Sequence, residues 1–186
     1  NRDEQMKLSS AIFTFSLAFA VTGWATAPAP ESSAPAPMAV SATASGIYNF
    51  SQPAPQHLAG GQPKKHEIAA LATSGVDAVI NLRSHAEMRD IHEAEWTTAN
   101  QMAYYHIPIA GADGLTKENV QIFHETLQNT SDDTVFMHCA SSNRVGAMMA
   151  LRAAWYQGAS TEEALALGEQ YGMTSLRKRV EELLSE

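Results

Sequence analysis

A single cysteine, Cys139, stands in the whole chain, so no internal disulfide can form and the sulfur is either packed as a small hydrophobe or used chemically. Basic residues are also scarce: 12 Lys and Arg face 20 Asp and Glu, a formal charge of −8. That balance argues against a nucleic-acid partner, because phosphate backbones are held chiefly by clustered cations. The one dense basic run, Arg177-Lys178-Arg179, is followed by Glu181 and Glu182 and fits a solvated helix face. The histidines outside the region of Cys139 (His57, His66, His85, His92, His106 and His124) show no tight ligand spacing, so neither a metal nor a cofactor is expected. No apolar run approaches the roughly 20 residues of a membrane helix.

The longest apolar stretch, Ala11 to Val21, follows Met6-Lys7 and precedes small residues, including Ala25-Thr26-Ala27, the pattern of a cleaved secretory leader. Export to the periplasm or the medium is therefore expected, with membrane contact only through this leader if it stays uncleaved. Residues 28–46 hold four of the eight prolines among Ala and Ser with one charge, Glu31, and have too little to bury to recover their ordering entropy. They are expected to form a tether between residues 1–27, upstream residues plus leader, and a domain spanning 47–186.

Within that domain, strand and helix patterns alternate. Ile47-Tyr48-Asn49-Phe50 and His57-Leu58-Ala59 predict short strands, Lys64 to Thr73 a helix stopped by Gly75, and Val76 to Leu82 a buried β-branched strand. Residues 85–100 predict one polar helix and Met102 to Ile109 another strand. Thr116 predicts the cap of a helix burying Val120, Phe123 and Leu127, and Thr134 to His138 the next buried strand. A helix with Val145, Met148, Leu151 and Trp155 on one stripe follows, then one capped by Ser160 and Glu163, then a last one from Thr174 to Leu184. Such alternation predicts an α/β fold, a mostly parallel sheet of four to five strands with helices on both faces.

The chemistry gathers at His138-Cys139-Ala140-Ser141-Ser142-Asn143-Arg144-Val145-Gly146, where a buried strand passes to a helix. Main-chain N–H groups of a tight loop and the positive end of a helix dipole make an anion pocket, and favour the thiolate of a cysteine placed in it. Arg144 can fork two hydrogen bonds onto a bound oxyanion. His138 is expected behind the loop as a hydrogen-bond partner, with Ala140, Ser141, Ser142 and Asn143 around the bound group. Arg83 either assists the anion or pairs with Glu87, four residues on. Ser142 stands where a positive φ would cost a non-glycine residue about 1 kcal/mol or more.

Together with Gly60-Gly61-Gln62-Pro63, Gly75-Val76, Val79-Ile80-Asn81-Leu82-Arg83 and His106-Ile107-Pro108, this loop resembles the dual-specificity and tyrosine phosphatase superfamily. It resembles more closely the bacterial beta-lactamase-hydrolase-like phosphatases, over about residues 47–157. The resemblance implies a phosphomonoesterase acting on a phosphorylated small molecule or a phosphoprotein. Cys139 would carry a phosphocysteine, Arg144 clamp the phosphoryl group, and Asp113 protonate the leaving oxygen. Four residues separate Cys139 from Arg144, one fewer than in most tyrosine phosphatases and the spacing also found in rhodanese sulfurtransferases. Sulfur transfer through a persulfide, or oxyanion binding with little turnover, remain the alternatives. Val145 follows the arginine where many phosphatases have Ser or Thr.

Overall fold

The computed structural model describes residues 43–186; the leader and most of the tether lie outside the described residues. Five strands, β1 (Ser51–Ala54), β2 (His57–Gly60), β3 (Ala78–Asn81), β4 (Ala103–His106) and β5 (Val135–His138), form one sheet in the order β1-β2-β5-β3-β4. Only β1 runs antiparallel, to β2. The expected mostly parallel sheet is present. Among the described residues six α-helices cover it: α1 (Lys65–Thr73), α2 (Glu93–Ala99), α3 (Lys117–Asn129), α4 (Asn143–Gln157), α5 (Thr161–Gln170) and α6 (Arg177–Ser185). None of the described helices is long and apolar enough to cross a membrane.

Strand pleating sends alternate side chains to opposite faces, and two cores result. Val135 and Met137 of β5 join Ile80, Phe123, Met148 and Leu151 under α3 to α6. Phe136 joins Leu58, Val79, Ile68 and Leu71 under α1. His138, next but one along β5 from Phe136, faces the α1/α2 side and is wholly buried. The helix caps form as the sequence predicts: Thr116 Oγ1 accepts from the Asn119 N–H, and Ser160 and Glu163 close a capping box. At the crossing of α4 and α5 the backbones meet so closely that a Cβ on Gly146 would strike the Gly168 carbonyl and the Met173 N–H.

Three local expectations are corrected. Ile47 to Phe50 is a turn, closed by the Phe50 N–H on the Ile47 carbonyl, and the strand lies at Ser51–Ala54. Pro53 disguises it; a proline is tolerated there because β1 is an edge strand. The single polar helix over 85–100 is instead a 3-10 turn, His85–Met88, followed by α2 from Glu93. Finally, the folded region reaches back to Ala44, which is wholly buried beside Ile47 and Leu58, three residues before the expected start.

Candidate active site

All four parallel strands end on one edge of the sheet, and β5 delivers Cys139 to that edge beside the N-terminus of α4. There a cavity of about 370 Å³ is lined by Glu87, Gly111, Cys139, Ser141, Asn143, Arg144 and Leu176. Cys139 is only 1% exposed, yet it lines this cavity and is not sealed in hydrocarbon. Among the described residues the N–H groups of Ala140, Asn143 and Arg144 donate to no protein acceptor. These are the free donors that the start of a helix presents to an anion.

Ser142 sits at φ 68° in the left-handed region, as the tight loop demands. Its hydroxyl donates to the Tyr171 carbonyl at 2.9 Å, and Gly172 lies so close to it that a Cβ there would meet the Ser142 side chain. That bond helps offset the backbone strain. Asn143 ties the loop to the same segment: its Nδ2 donates to Ser175 Oγ at 2.8 Å, and its Oδ1 accepts from the N–H groups of Thr174 (2.8 Å) and Leu176 (3.4 Å). The chain from Tyr171 to Leu176 thereby braces the loop and brings Leu176 to the cavity, a feature no local sequence signal announces.

Arg144 is the most tightly held side chain of the site. Its Nη1 and Nη2 donate to the two carboxylate oxygens of Glu87, each at 2.7 Å, and Nη1 also donates to the Ile109 carbonyl at 2.8 Å. A longer bond from Nη1 reaches the Leu82 carbonyl at 3.4 Å. A guanidinium has five donors. The Nε–H and the second Nη2 proton, on the edge away from Glu87, have no oxygen acceptor among the described residues, and the guanidinium reaches the Cys139 side chain. The arginine is thus fixed at its far edge; its charged form is favoured first by the hydrogen bonds to Glu87 and, against the effect of burial, by Cys139 at the other edge.

Glu87 was missed in the sequence as a site residue except as a partner for Arg83. That pair forms, at 3.4 Å, but the carboxylate belongs mainly to Arg144. The hydrogen bond from Arg144 holds Glu87 well below the usual carboxylate range; partial burial opposes this, and the Ser84 N–H and hydroxyl reinforce it. A carboxyl depressed in the folded state adds stability that is complete above its ordinary value, 4.5, and is lost as pH falls below it. The thermal midpoint of the parent is therefore expected to drop between about pH 5 and pH 3, and its advantage over Glu87→Gln to shrink across that window. An advantage that stays constant over those pH values would contradict the pairing.

The other expected site residues divide. Cys139, Ser141, Asn143 and Arg144 come together in the cavity, whereas Ala140 does not line it. The Ser142 side chain turns away to Tyr171, and His138 lies behind the loop on Glu93, Nε2 to Oε1 2.6 Å. Asp113 does not line this cavity. It lines a neighbouring one with Leu115, Thr116, Lys117 and Trp155, because the Gly111 to Gly114 turn presents Gly111 to the cysteine and Asp113 to the far side.

Residues 38–185 match the model of a family described as DSP-PTPase phosphatase fused to NAD+ kinase. The chain belongs to this family. A beta-lactamase hydrolase-like protein of Xylella fastidiosa is 29% identical over 116 residues, 60% of this chain and 26% of that protein. The chain thus spans about a quarter of that relative's length. Among solved structures, a putative phosphatase (DUF442) from Shewanella putrefaciens CN-32 is similar with a TM-score of 0.61 at 24% identity, covering 77% of this chain and 95% of that one. Pseudomonas aeruginosa TpbA in complex with pTyr is similar at 0.58 and 18%, covering 73% and 82%. At those identities the two structures bear on the fold, which is that of the cysteine phosphatases. The family assignment places the chain in the DSP/PTP-like phosphatase class.

Proposed function

We propose that this phosphatase-family chain hydrolyses phosphomonoesters through a cysteinyl-phosphate on Cys139. The observation that carries the proposal is the edge of Arg144 turned away from Glu87: N–H donors with no oxygen partner beside the sulfur, at a loop where the Ala140, Asn143 and Arg144 amides make no bond within the described residues. In the first step the thiolate attacks phosphorus and an S–P bond forms as the bond to the leaving oxygen breaks. Arg144 and the loop amides hold the non-bridging oxygens while their charge redistributes. Water then attacks phosphorus, the S–P bond breaks, and inorganic phosphate leaves with the thiolate restored.

Protonation of the leaving oxygen sets the preferred ester. Glu87 is kept ionised by Arg144, and Asp113 faces the neighbouring cavity. Asp113 serves as the acid in this mechanism only if the Gly111 to Gly114 turn carries it across. Without that movement, aryl phosphates are favoured, since a phenolate leaves without a proton from the protein. The ligand of TpbA in its complex, pTyr, is an ester of this kind. The proposal includes export, on the leader pattern of residues 6–27 alone.

Mass spectrometry of protein quenched during turnover of an aryl phosphate is expected to show a gain of one phosphoryl group on Cys139. A single added sulfur after thiosulfate, with no phosphoryl adduct from the ester, would replace the proposal with sulfur transfer.

A further inference from the structure

Two sequence motifs take no part in the mechanism above: Gly60-Gly61-Gln62-Pro63 at the end of β2 and Asn81-Leu82-Arg83 at the end of β3. The structure joins them through side chains. His138, immediately before the nucleophile, contacts the Cys139 carbonyl through Nδ1 at 3.2 Å and Glu93 Oε1 through Nε2 at 2.6 Å. The other Glu93 oxygen accepts from Gln62 Nε2 at 2.6 Å. Gln62 Oε1 in turn accepts from Arg83 Nη1 at 2.6 Å, and Arg83 Nε donates to Glu87 Oε1 at 3.4 Å. Glu87 holds Arg144. One continuous line of hydrogen bonds therefore runs from the residue behind the sulfur to the guanidinium in front of it.

Gln62 is the only uncharged side chain between the two carboxylates of this line, and its place requires an amide. It must donate to a carboxylate at one end and accept from a guanidinium at the other; neither a carboxylate nor a cation does both. That requirement also fixes which end of the amide carries nitrogen. Glu93 and His138 are both wholly buried, so a lost bond there has no water to replace it. Arg83 is held at its backbone, its N–H on Asn81 Oδ1 (2.8 Å) and its carbonyl accepting from His106 Nε2 (2.7 Å). Its guanidinium is engaged by Gln62 and Glu87, and it does not line the Cys139 cavity.

We propose that Gln62 is a positioning residue that sets the anion loop and the Arg144 clamp relative to each other, by joining Glu93 and His138 on one side to Arg83 and Glu87 on the other. The inference deepens the phosphatase proposal and rests on it only for the turnover readout. Its consequence concerns the grip on the oxyanion, which is measurable without catalysis.

The experiment is a donor and acceptor exchange. Gln62→Glu alone sets two carboxylates where a bond of 2.6 Å now exists, while Glu93→Gln alone can turn its amide so that the oxygen still accepts from Gln62 and the nitrogen meets His138 Nε2. Together, Gln62→Glu and Glu93→Gln restore the line: the new carboxylate accepts from Arg83 and from residue 93, which keeps an oxygen toward His138. The dissociation constant of inorganic phosphate, measured by calorimetry, and kcat and KM for an aryl phosphate are read for each protein. Gln62→Glu is expected to weaken phosphate binding by about 10- to 100-fold, the range in which loss of a partner behind a ligand is felt, and Glu93→Gln alone by less. The double variant is expected to return to within about threefold of the parent, a recovery that steric fit alone would not produce. Gln62→Met, which fills the volume without either bond, should show the same loss and no recovery with Glu93→Gln.

A Gln62→Glu or Gln62→Met variant that binds phosphate as the parent does, or a double variant no better than Gln62→Glu, would overturn the inference even if thermal midpoints fall. A parent that binds phosphate without hydrolysing the ester overturns the phosphatase proposal, and the exchange still decides the role of Gln62. A parent that binds no phosphate overturns both.

Discussion

Cys139→Ser is expected to lower kcat for an aryl phosphate by at least ~10⁴-fold while leaving the fold and the affinity for inorganic phosphate nearly intact. The loss follows from chemistry: a serine hydroxyl in this cavity has no neighbouring base to ionise it, since Glu87 is committed to Arg144 and His138 lies behind the loop. The intact binding follows from geometry. Cys139 joins the frame through its backbone, the N–H reaching the Gly60 carbonyl at 3.4 Å, while the loop is braced by Ser142, Asn143 and His138. Turnover within about tenfold of the parent would mean that the sulfur is not the nucleophile. Steady-state kinetics and phosphate calorimetry on one preparation separate the two effects.

Arg144→Lys keeps the charge and is expected to lose about 10²- to 10³-fold in kcat, as when a donor to a developing oxyanion is removed. Lysine offers a point charge with no planar fork, so it cannot serve Glu87 on one edge and a phosphoryl group on the other. The substitution also abandons the Ile109 carbonyl and one or both Glu87 oxygens, all in a partly buried setting. A loss of stability of roughly 1–3 kcal/mol should accompany the kinetic effect, read from urea denaturation. If lysine retained most of the activity, simple charge attraction would account for the site and the fork would be irrelevant.

Much of this could be read along the chain. Short β-branched runs gave β3 and β5, turn residues and caps bounded α3 and α5, and the lone cysteine five positions before an arginine marked the site. Each of those signals is local. The strand at Ser51–Ala54 escaped because Pro53 argues against a strand unless the strand is known to be at an edge, which only the sheet order reveals. Glu87 carried one overlooked signal, the box it closes with Ser84; its main partner lies 57 residues away. Glu93 carried none, since a buried carboxylate in a polar stretch looks the same in sequence as a solvated one, and Gln62 stood in a motif whose partners in space the sequence does not name. Asp113 was placed by its neighbours in the chain, and the turn between Gly111 and Gly114 decides which cavity it faces.

The bonds from Ser142 and Asn143 to residues about 30 positions further on bear on how portable the signature is. Grafted onto another strand and helix, His138 to Gly146 would bring the sulfur and the guanidinium but leave behind the ledge that keeps a left-handed serine in place. A transplant worth making would carry Tyr171 to Leu176 as a second, discontinuous piece.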